Sequence, residues 1–532
     1  MEVLPMVKLW FGKKKKEDAT PKTSGLLIEK LEPGSKIVEE YLVNPFAKVI
    51  IAKTESEGYE YFVQEATLNA EEQVACEKLK SILSKELEAP EELESDVLSY
   101  ILSEAKKVAQ GYRKSLGEFN ETSWRNIFYH VVRDLAGYEE VNTLMIDPNI
   151  EDISCNGLRR PIYVWHRKYE SIPTNIMFID ELVYDNFVVK LAHRSGKHIS
   201  SAHPMLDAML PEKHRLSATF MREISSGGSS FTIRKFRHDP FSIVDLIKLG
   251  TLDERIAAYV WILLESKMSL MVVGGTGAGK TSLLNALITL VQPNDKIVTV
   301  EGIAELNLSH ENWVQLVSRA GFQFGASDAT SISLFDLVKL SLRYRPDYLV
   351  VGEVRGEEAY VLFQAVATGH GGLCTMHADS LENAVNRLTS PPMNVSEVYI
   401  PLMNVCIYAA RVDLPEKPGG LPFGRRVRNM WEVEGFGNYN ALADWDPTND
   451  SFRTSFQESF LIERIAEKRG LSKQSLLTEI SNRQKFLGRL VRRDVKDHAE
   501  VAKAIMTYYQ RKTMAPGAIS TEKGARKGIK EG

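Results

Sequence analysis

Apolar positions change their spacing several times along this chain, and each change marks an element. Between about 26 and 65 they come in short runs, Lys48-Val49-Ile50-Ile51 and Tyr59-Glu60-Tyr61-Phe62-Val63, which predict short strands. The spacing then turns helical. Val97, Leu98, Ile101, Leu102, Ala105 and Val108 form one stripe, and Trp124, Ile127, Phe128, Val131, Val132 and Leu135 another; both predict helices packed into a core. From about 137 to 237 strands return at Ile162-Tyr163-Val164-Trp165 and Phe231-Thr232-Ile233-Arg234, with a helix over Glu181–Arg194 between them. His238-Asp239-Pro240 breaks helix propensity before Ser242 and sets a boundary. Beyond it, candidate strands at 269–273, 296–301, 347–352, 371–376 and 404–411 alternate with helical segments, which predicts a largely parallel α/β sheet covered on both faces. Asp444-Trp445-Asp446-Pro447 reads as a turn, and helices follow at about 456–469, 473–492 and 498–510, the last opened by an Asp497/Glu500 capping box. The pattern divides the chain into a basic tail (1–25), an N-terminal α+β and helical region (26–136), a second α+β domain (137–237), a linker (238–246), an α/β core (247–430), a C-terminal helical extension (431–513) and a second tail (514–532).

Composition narrows the class. With 532 residues, 44% of them apolar, the chain has material for two to four cores. Its 66 basic and 70 acidic residues leave a net charge of −4, so no global excess points to nucleic acid. The four cysteines are scattered without a C-x-x-C pair, which argues against a zinc clip or a disulfide framework and fits a reducing, cytoplasmic compartment. No apolar run has the length of a membrane span. The N-terminus is not a signal peptide, because Lys13 to Lys16 follow the apolar stretch Val7 to Phe11 instead of preceding it; it reads as a disordered, soluble tail. Any membrane association is expected to be peripheral or through a partner.

The chemistry centres on Gly274–Thr281, GGTGAGKT, which fits G-x-x-x-x-G-K-[ST]. Leu270 to Val273 suits a buried strand before it, and Leu283, Leu284, Leu287, Ile288 and Val291 recur at helical spacing after it. In that context the backbone of Gly274, Gly275, Thr276, Gly277, Ala278 and Gly279 curls around a polyphosphate at a helix N-terminus, with Ser282 following in the first turn. Lys280 reaches the β- and γ-phosphates, and Thr281 offers its hydroxyl to Mg²⁺. Hydrolysis needs further groups. The strand ending Val300-Glu301, with Glu305 four residues on, and the strand Tyr348 to Val351 followed by Gly352-Glu353 each bring carboxylates to the rim where magnesium and water meet phosphate. Glu353 stands where a Walker B acid stands and is a candidate metal ligand beside Thr281. Arg319, Arg343, Arg345 and Arg355 cluster between and after these strands, and Arg234 lies in the preceding domain; an arginine on the γ-phosphate contributes a large part of the rate in related chemistry. His370 and His377 have poor spacing for a metal. The strand 371–376 carries His377 to the rim that holds Glu353, while His370 reads equally as a bonded core histidine.

Taken together, GGTGAGKT (274–281), VTVEGIAEL (298–306), RPDYLVVGEVRGEEA (345–359) and ATGHGGLCTMHA (367–378) resemble the Walker A, Asp, Walker B and His boxes of the type II/type IV secretion ATPase superfamily. NIEDISCNG (149–157), SGGSSFTIRKF (226–236) and the stretch from ADWDPTNDSF to about 510 extend the likeness toward its archaeal branch of pilus-assembly and archaellum motor ATPases. The resemblance implies an ATPase with a RecA-like domain behind a PAS-like α+β module and a flexible linker, assembled as a homo-hexamer with ATP and Mg²⁺ between the domains. It implies work on a membrane platform protein of a pilus, archaellum or secretion system, at the inner face of the cell membrane; the net negative charge and the absence of a basic-aromatic strand-binding stretch lead to no nucleic-acid partner being expected. By position it assigns Glu301 and Glu305 to the Asp box, Glu353 to the Walker B glutamate and His377 to the His box. Arg319 and Arg343 fall at arginine-finger positions, and Arg234 falls where an N-domain arginine approaches the nucleotide. The chain departs from the family in carrying Gly302 where the Asp box has Asp, which shifts weight onto Glu301 and Glu305. Rival readings of the same residues are a RecA-like DNA translocase or helicase, a small-molecule P-loop kinase, and a non-catalytic nucleotide-gated scaffold.

Overall fold

In the computed structural model the described residues are 26–31, 35–54, 58–87, 97–237, 239–319, 332–415 and 423–514. The tail predicted over 1–25 lies outside them, as does that over 514–532 beyond its first residue; His238 of the predicted boundary is also outside. The chain divides into two units at Phe236/Arg237.

The first unit is built on a ten-stranded sheet. Its strands are β1 (Leu26–Ile28), β2 (Lys36–Asn44), β3 (Ala47–Thr54), β4 (Gly58–Glu65), β5 (Ile150–Cys155), β6 (Pro161–His166), β7 (Glu170–Phe178), β8 (Met205–Met209), β9 (Arg215–Thr219) and β10 (Ser230–Arg234). They run in the order β2-β3-β4-β7-β6-β5-β10-β9-β8, with β1 beside β7. The predicted division at 136/137 therefore does not separate two sheets. β4 meets β7 at a single parallel pair, Tyr61 and Thr174, and side chains close the joint. The buried Asn175 amide accepts from Val63 N at 2.8 Å and donates to Val63 O at 3.1 Å and Glu29 O at 2.9 Å. Asp147, fully buried, accepts the Tyr41 and Tyr61 hydroxyls at 2.7 and 2.6 Å. The helices Ala70–Glu86, Val97–Gly111 and Glu121–Leu135 form a smaller core of their own around Leu79, Leu83, Ile127 and Val131. Of the first predicted stripe, Val97 and Leu98 face outward. The helix Glu181–Arg194 forms where its pattern placed it, its N-terminus capped by the Asp180 carboxylate on Val183 N.

The second unit carries nine strands: β11 (Leu270–Gly274), β12 (Ile297–Glu301), β13 (Trp313–Val317), β14 (Tyr348–Val351), β15 (Gly371–His377), β16 (Val405–Asp413), β17 (Phe423–Gly435), β18 (Asn438–Asp446) and β19 (Ser451–Thr454). Their order is β13-β12-β14-β15-β11-β16-β17-β18-β19. From β13 to β16 neighbours pair in parallel; from β16 onward they pair antiparallel. Two predictions are corrected here. The linker drawn over 238–246 already contributes to the core: Ser242 and Asp245 form a capping box on the helix Ile243–Lys248, and Ile243 and Val244 are fully buried. The helical extension drawn from 431 begins as strand, because β17 and β18 continue the sheet to 446 and β19 to 454. Their sequence hides this. Register shifts at Met430/Trp431 and Val433/Gly435 break the two-residue alternation by which a strand is recognised.

The three C-terminal helices, Phe460–Arg469, Lys473–Arg492 and His498–Met514, lie at predicted positions. They pack around the buried helix Glu254–Glu265. Trp261 is buried among Phe486, Tyr508 and Tyr509 and donates its indole N–H to the Tyr509 hydroxyl at 2.8 Å. The Arg483 guanidinium, fully buried, bonds Glu265 and Glu479 and stacks over Trp261 at 4.7 Å. All four cysteines are free and buried. No helix among the described residues is long and apolar enough to cross a membrane.

Candidate functional site: the rim around the glycine-rich loop

β11 is buried along its whole length between β15 and β16 and delivers the loop at its carboxyl end. Gly274 is required there by space: a Cβ would lie 2.2 Å from the Ala409 carbonyl oxygen. Gly277 and Gly279 take positive φ, +72° and +81°, and Gly279 caps the helix Lys280–Ile288 in the left-handed conformation. Gly275 and Gly277 leave open space where a side chain would stand, so the loop is a cradle of backbone. Thr281 is half-buried and Ser282 exposed in the first helical turn.

Lys280 lies inside this cradle. Its Nζ donates to Gly275 O at 2.9 Å and stands 3.4 and 3.5 Å from the two ring nitrogens of His377. Burial pulls its ammonium below the usual lysine range, and the carboxylates of Glu353 and Glu305 act in the opposite direction. His377, at the end of β15, has Nε2 3.4 Å from Glu353 Oε1. Burial and the Lys280 charge lower the imidazole from its ordinary value of 6.5, so it is neutral at neutral pH. Glu353 also pairs with the Arg355 guanidinium, and Arg387 donates to the His377 carbonyl. A cavity of about 670 Å³ opens beside the loop, lined by Gly275, Thr276, His377, Arg355 and Arg387 among others. Lysine, imidazole and carboxylate from three chain segments thus meet at one rim.

The two Asp-box glutamates separate. Glu301 is 2% exposed at the end of β12. Its Oε1 accepts from Glu305 N at 2.9 Å and Leu306 N at 2.8 Å, and its Oε2 from Gln315 Nε2 at 2.8 Å. Burial raises its carboxyl to about 7 against those three hydrogen bonds. Gly352 makes room for it, since a Cβ there would meet Glu301 Cγ at 3.1 Å. Glu305 is exposed, and its charge reaches both Lys280 and Arg355.

The family model described as Type II/IV secretion system protein matches residues 145–410. An uncharacterised protein of Methanocaldococcus jannaschii is 32% identical over 480 residues, 85% of each chain. This chain belongs to the type II/IV secretion system protein family. The conjugal transfer protein TrbB of Rhizobium radiobacter is 31% identical over 47% of this chain and 73% of its own length. Among solved structures, the ATPase DotB of Legionella pneumophila is similar over 70% of this chain and 90% of its own, at 17% identity and a TM-score of 0.40.

The remaining candidate residues have the following local surroundings. Arg319 follows β13, where its backbone bridges Ile332, and its side chain is exposed. Arg343 is exposed in the 3₁₀ turn Leu342–Tyr344. Arg234 ends β10 in the first unit and pairs with Asp152 at 3.1 Å. His370 bonds Thr368 and Ala365 O, as a structural histidine would. Sequence reasoning missed Arg425, whose Nε donates to Gly277 O at 2.9 Å from β17. It also missed Asn285, Gln315 and His498, which touch the Asp-box loop. For Asn285 and Gln315 the available signal is a lone polar residue inside an apolar helix or strand pattern; Arg425 and His498 carry none.

Proposed function

We propose that this chain is a Mg²⁺-dependent ATPase that drives assembly or movement of a type IV pilus-like filament, an archaellum or a secretion system through a membrane platform protein. One observation carries the reading: the Lys280 ammonium stands 3.4 and 3.5 Å from the ring nitrogens of His377, whose Nε2 is 3.4 Å from the Glu353 carboxylate, and His377 lines a cavity beside a backbone cradle. Lys280 is buried, and among the described residues its ammonium has a carbonyl and a neutral imidazole as hydrogen-bond-range contacts, an arrangement an anion complements; the open cradle at Gly275 and Gly277 admits phosphate. The Thr281 hydroxyl and the Glu353 carboxylate are hard oxygen donors of the kind magnesium takes, so the residues fit a magnesium nucleotide. When bound, the ion neutralises charge on the phosphate oxygens.

The chain's own groups divide the remaining work. Backbone N–H groups of 274–279 and the helix N-terminus, with Thr281 and Ser282, hold the phosphates. Lys280 binds the γ-phosphate, and neutral His377 hydrogen-bonds it or the attacking water. Glu305, exposed and facing the Lys280 charge, orients the water. Glu301 already uses both oxygens as acceptors inside the protein, and its role is to hold the loop that bears Glu305. Arg319 and Arg343 act on the nucleotide of a neighbouring copy in a homo-hexamer, and Arg234 approaches it from the N-terminal unit. The working place is the cytoplasmic face of the membrane, reached through the partner. The test is Lys280→Ala. We expect loss of nucleotide binding and at least ~10²-fold slower ATP hydrolysis; equal turnover by variant and parent would end the assignment.

A further inference from the structure

The loop from Gly302 to Ser309, which carries Glu305, is tied down by four side chains from four elements. Glu301 of β12 and Gln315 of β13 hold its middle; Gln315 Nε2 bonds Leu306 O at 3.1 Å as well as Glu301. Asn285, one turn beyond Thr281 on the loop's own helix, accepts Asn307 N at 2.9 Å. His498, the first residue of the helix His498–Met514, stands with Nδ1 2.9 Å from Ser309 Oγ. Asn285 is 3% exposed and His498 7% exposed. Each leaves one nitrogen, Asn285 Nδ2 and His498 Nε2, without a hydrogen-bond partner. A buried polar atom left unpaired is destabilising, and an apolar residue at either place would avoid that cost. What these residues provide is placement: among the described residues, the side-chain hydrogen bonds of both go to the segment that presents Glu305.

We propose that Asn285 and His498 are positioning residues for Glu305. The C-terminal helix, outside the 145–410 stretch matched by the family model, then takes part in setting the hydrolysis rate. Asn285 couples the Glu305 loop to the phosphate-binding helix, and His498 couples it to the C-terminal bundle. The inference rests on the reading of Glu305 as the carboxylate that orients water. Misplacing such a group by about 1 Å costs on the order of 10²-fold in rate, which gives the brace leverage without any contact to nucleotide.

The experiment uses the full chain and reads two quantities, steady-state ATP turnover and the affinity for a fluorescent ADP. Asn285→Leu keeps the branched side-chain shape and removes the acceptor; Asn285→Asp keeps the acceptor. His498→Phe removes the other tie, and Ser309→Ala removes it from the exposed side should His498→Phe fail to fold. The expected result is turnover lowered ~10-fold or more by Asn285→Leu and by loss of the His498–Ser309 contact, with ADP affinity within ~2-fold of the parent and Asn285→Asp retaining most of the rate. Turnover within ~2-fold of the parent in Asn285→Leu and Ser309→Ala overturns the proposal, as does a parallel loss of ADP affinity, which marks general damage. Glu305→Gln runs alongside. If it abolishes turnover while the brace variants do not, the brace alone is wrong; if it keeps the parental rate, the reading of Glu305 falls, and the brace with it.

Discussion

Glu301 shows how one side chain's surroundings decide its use. A carboxylate at a strand end beside a phosphate loop reads as catalytic, yet both Glu301 oxygens are occupied by Glu305 N, Leu306 N and Gln315 Nε2. Burial still dominates and lifts the carboxyl from 4.5 to about 7. The stability consequence has a definite sign. Between about 4.5 and 7 the folded state keeps a proton that the unfolded chain has released, so Glu301's contribution to stability falls as pH rises across that window and is flat above it. Glu301→Gln removes this slope. Urea unfolding of parent and variant at about pH 5 and about pH 8 should show the parent losing more stability than the variant on going to the higher pH.

At the scale of elements, the C-terminal helices and the core helix Glu254–Glu265 share one charged joint. Glu265 bonds Arg483 and Arg469, and Arg483 is completely buried. Glu265→Ala leaves that guanidinium short of a counter-charge and should cost about 3–5 kcal/mol, whereas exchanging both partners together, Glu265→Leu with Arg483→Met, should unfold near the parental urea midpoint. How visible such elements were in the sequence follows from their burial. β11, β12 and β14 are buried at every position; β11 and β14 read as unbroken apolar runs, and β12 is interrupted only by Thr299 before its closing Glu301. β13 is half-buried throughout, and β17 and β18 carry bulges, so neither a continuous run nor a clean alternation survives to announce them. The site divides the same way. Lys280, Glu353 and His377 sit in contiguous boxes whose residue types declare their chemistry. Asn285 is a single polar residue in an otherwise apolar helical pattern, and His498, at a polar helix start, meets its partner Ser309 across 189 residues. Only folding brings such pairs together.

For the whole molecule, the exposed positions of Arg319 and Arg343 bear on assembly. Both side chains are open to solvent, as a site completed by a second copy in a closed ring requires. Mixing two inactive variants tests this. Lys280→Ala supplies intact arginines and Arg343→Ala an intact loop, so random co-assembly should regenerate roughly a quarter of the composite sites, and with them measurable ATP turnover that neither variant shows alone. If the mixture stays as inactive as its components, Arg343 works within its own chain or not at all.

The buried thiols have a practical corollary. Cys76, Cys155, Cys374 and Cys406 are all enclosed, and burial pushes the Cys76 and Cys374 thiols up to about 12, far from the thiolate form that attacks a maleimide. The folded chain therefore presents no native target to such a reagent. A single cysteine placed on either unit becomes the one labelled position, and dyes for following domain movement during turnover can be attached without first stripping the protein of its own sulfur.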